Sequence, residues 1–219
     1  MGSTGNCRRL SERAYQALLA NPELCAAVVC LPDRLEVPPA GTGGPPAPVT
    51  EAQRSESFLR AFDRLLTGGL AEAAEFVHAD SIRLANQTGF PVDELGPRLN
   101  IDKIWRELQL PLAGNEHEPS APPGDAVLGG TEIGPDLGYG PARLMLAREA
   151  RETAAALERF TLDCFHASWD RLAEERADVQ DSVWADDRCR GYIFSSFGDV
   201  RDYFRETAPL GWGMLLWLG

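Results

Sequence analysis

Trp212-Gly213-Met214-Leu215-Leu216-Trp217-Leu218 is the stretch whose reading decides the fold. It shows neither the alternation of a half-exposed strand nor the stripe of an amphipathic helix. It is also too short to be a stable helix. A strand with apolar side chains on both faces belongs inside a sheet that is covered on both sides. The segment therefore predicts an inner strand of a small, largely antiparallel sheet packed under helices.

Working back from that strand, helices are expected at about 147–158, 163–177 and 199–207. Before them, Ala142 to Leu146 is a short apolar piece. Read as a strand, it puts Arg143 and Met145 on one face, Leu144 and Leu146 on the other. An arginine among core-facing neighbours needs a partner, and Asp102 and Glu132 are the candidates.

Gly134-Pro135-Asp136-Leu137-Gly138-Tyr139-Gly140-Pro141 is the most unusual run in the chain. Glycines accept positive φ and let a ligand approach the backbone. Two readings stand side by side. The run is a phosphate-binding loop with Arg143 as anion clamp, or a structural turn that packs Tyr139. Its spacing meets neither nucleotide-binding glycine motif.

The front of the chain supplies the remaining elements. Gly2 to Leu10 reads as a strand. Ser11 caps a helix through about Ala20, with Ala14, Leu18 and Leu19 inward. Asn21-Pro22 restarts a helix through about Cys30, with Asn21 as its cap. The Pro/Gly-rich stretch 32–49 reads as a flexible loop. Thr50 and Gln53 form a capping box, and two helices over 50–88 make a hairpin ending near Gly89. Asn100 is expected to cap the next helix, with Ile101, Ile104, Trp105 and Leu108 inward. Asp102 with Arg106, and Lys103 with Glu107, would then pair four residues apart on its outer side. A polar loop follows over 113–125. Trp105, Trp169, Trp184, Trp212 and Trp217 are assigned to the core. The fold class is α+β, a small mostly antiparallel sheet covered by helices. One domain spans 1–219, and an insertion over 31–97 carries the loop and the helical hairpin.

Composition bounds the function. The chain has 219 residues and a net charge of −12, which argues against nucleic acid or an anionic membrane as partner. Lys103 is the only lysine among its basic residues. Cys7, Cys25, Cys30, Cys164 and Cys189 have no regular spacing, so neither a disulfide framework nor a zinc site is expected. No cofactor motif is present. Cys164 and His166 sit two apart on a helix and point away from each other, which speaks against a nucleophile pair. No apolar run reaches membrane-spanning length and no signal peptide opens the chain, so a cytoplasmic location is expected.

Four stretches resemble the YfbM-like family, a bacterial domain of unknown function. The opening Met1-Gly2-Ser3-Thr4-Gly5-Asn6 is similar to the family's M-G-M-I-G start. Asn100-Ile101-Asp102-Lys103-Ile104-Trp105 is similar to its L-D-I-D-K-x-W. Leu128 to Gly134 and Asp136 to Arg143 resemble its L-G-G-x-x-I-G and D-L-G-Y-G-P-A-R. Trp212 to Gly219 is similar to its closing strand. The resemblance implies an α+β fold and no established activity. Where family members commonly read H-F-L-L-T-G, this chain reads Gln109-Leu110-Pro111-Leu112-Ala113-Gly114.

Two functions follow as expectations. The first is a non-catalytic protein that binds a protein partner, in one version an immunity-type inhibitor of a basic one. The second is an enzyme or small-molecule binder for an anionic substrate, built on the turn 134–143 with Asp102, Lys103, Glu132, Tyr139 and Arg143.

Overall fold

The computed structural model describes residues 3–31, 60, 75–175 and 187–219. Its five strands are β1 (Gly5–Leu10), β2 (Leu95–Asp102), β3 (Thr131–Asp136), β4 (Pro141–Met145) and β5 (Gly213–Leu218). They form one sheet in the order β2-β1-β5-β4-β3, and every pairing is antiparallel. β5 is the middle strand, as its apolar run predicts.

The alternation of β5 explains that run. Met214 and Leu216 face one core with Cys7 and Met145. Leu215 and Trp217 face the other with Leu10, Ala142 and Leu144. The first core is closed by α4 (Trp105–Ala113), α5 (Ala147–Arg159), α6 (Leu162–Glu175) and α7 (Asp187–Thr207). The second is closed by α1 (Glu12–Ala20), α2 (Cys25–Val29) and α3, the helical residues 75–88. Helices therefore lie on both faces of the sheet, and a strand between them has no polar side to show.

Two arginines sit side by side in the buried strand β1, one for each face. Arg8 is 1% exposed and donates to the carbonyls of Val28 (3.2 Å) and Leu31 (2.9 Å) near the end of α2. Arg9 lies 4.1 Å over the Tyr203 ring and donates to Glu206 at 2.8 Å. These contacts satisfy charges that would otherwise be costly so deep in the molecule.

Several boundaries differ from expectation. Ser11 caps α1 by accepting from the Ala14 N–H at 3.1 Å, as read, but Leu19 is exposed. Asn21 makes no side-chain cap, and a 3-10 turn at Pro22–Leu24 precedes α2. Asn100 lies in β2, and its Oδ1 accepts from the Asp102 N–H at 2.7 Å. Helix α4 starts only at Trp105. The expected four-apart charge pairs of Asp102 and Lys103 therefore have no helix to stand on. Tertiary pairing overrides the capping signal: Asn100 and Asp102 are held against Asn6 and Gly5 of β1. A Cβ on Gly5 would meet Ile101 at 2.6 Å and Trp105 at 2.8 Å, so only glycine lets β1 and the start of α4 come this close.

Residues 131–136 form the edge strand β3, which takes in Gly134 to Asp136 from the start of the turn-rich run. Helix α7 starts at Asp187, twelve residues before its expected start at 199. Gly191 and Gly198 weaken its local helix signal, but Ile193, Phe197, Val200 and Phe204 bury a continuous stripe that outweighs them. Trp105, Trp169 and Trp217 are buried, whereas Trp212, just before β5, is only half-buried. Trp184, the loop 32–49 and the first helix of the expected hairpin lie outside the described residues. Residues 75–88 are helical and Gly89 follows at φ 69°. Ala85, Phe90 and Val92 from the expected insertion belong to the second core. Among the described residues, no helix is long and apolar enough to cross a membrane.

Candidate functional site

A cleft of about 280 Å³ opens where the ends of β4 and β5 meet the start of α4. Its floor is apolar and comes from the strand end Leu216–Leu218 and from Val127 and Leu128, just before β3. Its walls are Trp105 and Arg106 of α4, His117, Glu132 of β3 and Arg143 of β4. Tyr139, Gly140 and Pro141 of the glycine-rich turn form its lip.

The turn is braced from within. Gly138 and Gly140 take φ of 103° and 98°, a region closed to most side chains. Asp136 Oδ1 accepts from the Gly138 N–H at 2.7 Å and the Gly140 N–H at 3.0 Å. The Leu137 N–H donates to the Gly140 carbonyl at 2.9 Å. These amide groups serve Asp136 and the Gly140 carbonyl, so they do not make a phosphate cradle. Tyr139 is 51% exposed and does not enter the core; the turn holds it out at the mouth of the cleft.

The charges around the cleft have separate roles. Arg143 Nη1 donates to Glu132 Oε1 at 2.7 Å, and Nη2 donates to the Gly130 carbonyl at 3.3 Å. Both ends of that guanidinium are occupied by the protein. Arg106 lies 5.1 Å from the centre of the Trp105 ring, and among the described residues no carboxylate pairs with it. His117 is exposed, with Nε2 3.8 Å from Glu116.

Of the residues singled out from sequence, the structure brings Glu132, Tyr139 and Arg143 together at the cleft. Glu132 is the partner of Arg143. Asp102 and Lys103 do not line it. Asp102 has φ 50° and accepts from the Tyr192 hydroxyl at 3.4 Å; Lys103 is exposed beside it. Burial, with the Asp102 carboxylate next in weight, raises the Tyr192 phenol.

Sequence reasoning missed Arg106 and His117. A helix capped by Asn100 puts Arg106 on the outer face as a partner of Asp102. The adjoining Trp105 was the available signal, since an arginine next to an aromatic can stack on it. His117 arrives through a loop and left no pattern to read. Gln109, at the family's histidine position, is fully buried. Its Nε2 donates to the carbonyls of Glu118 (2.9 Å) and Gly124 (3.2 Å), which ties down the loop that carries His117. Cys164 contacts Thr161, whereas His166 faces Arg190 and the Phe194 ring.

Among solved structures, the chain is similar to YfbM from Escherichia coli, a protein of unknown function. The two share 17% sequence identity with a TM-score of 0.51, and the match covers 99% of each chain. That likeness establishes the shared fold. No curated protein matches the chain. The model of the domain of unknown function DUF1877 matches residues 1–217, and so the chain belongs to the DUF1877 family, whose fold it shares with YfbM.

Proposed function

We propose that this protein binds a small anion with an apolar body in the cleft between the glycine-rich turn and the start of α4. One observation carries the reading: an apolar floor lies beside Arg106, a guanidinium with no carboxylate partner among the described residues. In a chain of net charge −12, a surface arginine usually has acid nearby. A cation left open at the rim of a cleft with an apolar floor is the arrangement that orients a ligand. The anion meets Arg106, while its body rests on Val127, Leu128 and Leu216.

Titration with 3-phenylpropionate, followed by amide and indole chemical shifts, tests this. Saturable shifts are expected at Trp105, Tyr139 and Leu216–Leu218. Arg106→Ala should weaken binding about tenfold, the scale of one charge-assisted contact. Unsaturated shifts, or equal affinity in Arg106→Ala, would overturn the proposal. The competing reading, a blocker of a basic protein partner, is supported by the net charge alone.

A further inference from the structure

The rim of this cleft carries a second charge, of opposite sign to Arg106. Glu132 is 61% exposed, and only its Oε1 is engaged, by Arg143. Among the described residues no protein group donates to its other oxygen. Arg143 is a weaker anion receptor than Arg106, because its charge is already paired with Glu132. Its Nη1 holds Glu132, its Nη2 holds the Gly130 carbonyl, and its Nε is buried without a hydrogen-bond partner. Arg143 therefore positions Glu132. Beside His117 and Tyr139, the cleft offers a ligand the Arg106 guanidinium, the Glu132 carboxylate and an apolar floor.

That set discriminates between ligand classes. A phosphate dianion would find one open cation, a repelling Glu132, and turn amides already committed to Asp136. A simple amine would leave Arg106 unmet. A molecule bearing both an ammonium and a carboxylate on an apolar body meets Arg106, Glu132 and the apolar floor together. At about 280 Å³, the cleft lies just below the roughly 300–1,000 Å³ that drug-sized ligands occupy, which limits the ligand to the size of a single small metabolite.

Resting on the anion-site reading above, we infer that the cleft takes a free α-amino acid with an apolar side chain. Arg106 receives its carboxylate, Glu132 receives its ammonium, and Val127, Leu128 and Leu216 hold its side chain. Glu132, oriented by Arg143, is the residue that sets this specificity.

Calorimetry on the full chain with four probes tests the inference: L-phenylalanine, 3-phenylpropionate without the ammonium, phenethylamine without the carboxylate, and phenyl phosphate. Phenylalanine should bind about tenfold or more tightly than any of the others, since each of those loses at least one charge-assisted contact. Glu132→Gln keeps an acceptor for Arg143. It should weaken phenylalanine about tenfold and leave 3-phenylpropionate unchanged or tighter, since the repelling carboxylate is gone. If 3-phenylpropionate or phenyl phosphate matches phenylalanine, or if Glu132→Gln binds phenylalanine unchanged, the amino-acid assignment falls while the anion site stands. If phenethylamine matches phenylalanine and Arg106→Ala alters neither, the anion site falls as well.

Discussion

Arg143 and Glu132 stand directly opposite each other in the β3–β4 ladder, and their side chains close a 2.7 Å ion pair across it. The pair joins an edge strand to its neighbour at the border of the cleft. Its two members differ in exposure, 21% for the Arg143 side chain and 61% for Glu132. Water screens the carboxylate, while the guanidinium is committed to the protein.

Arg143→Ala should lower stability by about 1–2 kcal/mol. The variant loses two hydrogen bonds of a charged group and leaves the Gly130 carbonyl without its donor, discounted for the exposure of Glu132. Glu132→Ala should cost less, because its carboxylate returns to water. Urea unfolding of both variants measures the difference. An Arg143→Ala midpoint equal to wild type would show that the cross-strand pair leaves the fold unaffected.

Leu215→Asp should be severely destabilising, by roughly 3 kcal/mol or more. Leu215 is fully buried on the middle strand, where a carboxylate would lie among Leu10, Leu144 and α1, and the guanidinium opposite it, that of Arg8, is already held by the Val28 and Leu31 carbonyls. Thermal unfolding is the measurement. A variant that melts with wild type would remove β5 from the centre of the sheet.

Stability should fall as pH rises from about 9 toward 12. Burial pushes the Cys7 and Cys25 thiols up to about 12 from an ordinary 9.0, and it raises the Tyr203 phenol as well. In the unfolded chain these thiols lose their protons near pH 9, while the folded chain keeps them. The unfolded state then binds fewer protons, and stability declines with pH until the folded thiols also ionise. Urea midpoints measured from pH 7 to 11 should stay level and then drop above about 9; a level profile to pH 11 would contradict this. Iodoacetamide at pH 8 should label exposed Cys164 and spare Cys7 and Cys25.

The middle of the fold was legible because its information is local and redundant. Met214 to Leu218 are apolar at consecutive positions, and only a strand buried on both faces makes use of that. Helix α1 was legible from its Ser11 cap and its apolar stripe. Strand alternation also showed that Arg143 needs a partner and narrowed it to Asp102 or Glu132; the β3–β4 ladder selects Glu132.

The sequence by itself determined that an α+β chain of the DUF1877 family would form around β5, because periodicity, caps and the family's own motifs act within a few residues. Only the tertiary structure decided where Asn100 and Asp102 belong. Their capping chemistry favours a helix, but the ladder to Gly5 and Asn6 draws them into β2. It also decided that the amides of the glycine-rich turn go to Asp136, and that Arg106, far from that turn in sequence, is the open cation beside it. A hydrogen-bond donor has no assigned partner until the chain has folded. The residues that face a ligand are therefore the ones left over when all the internal pairings are complete.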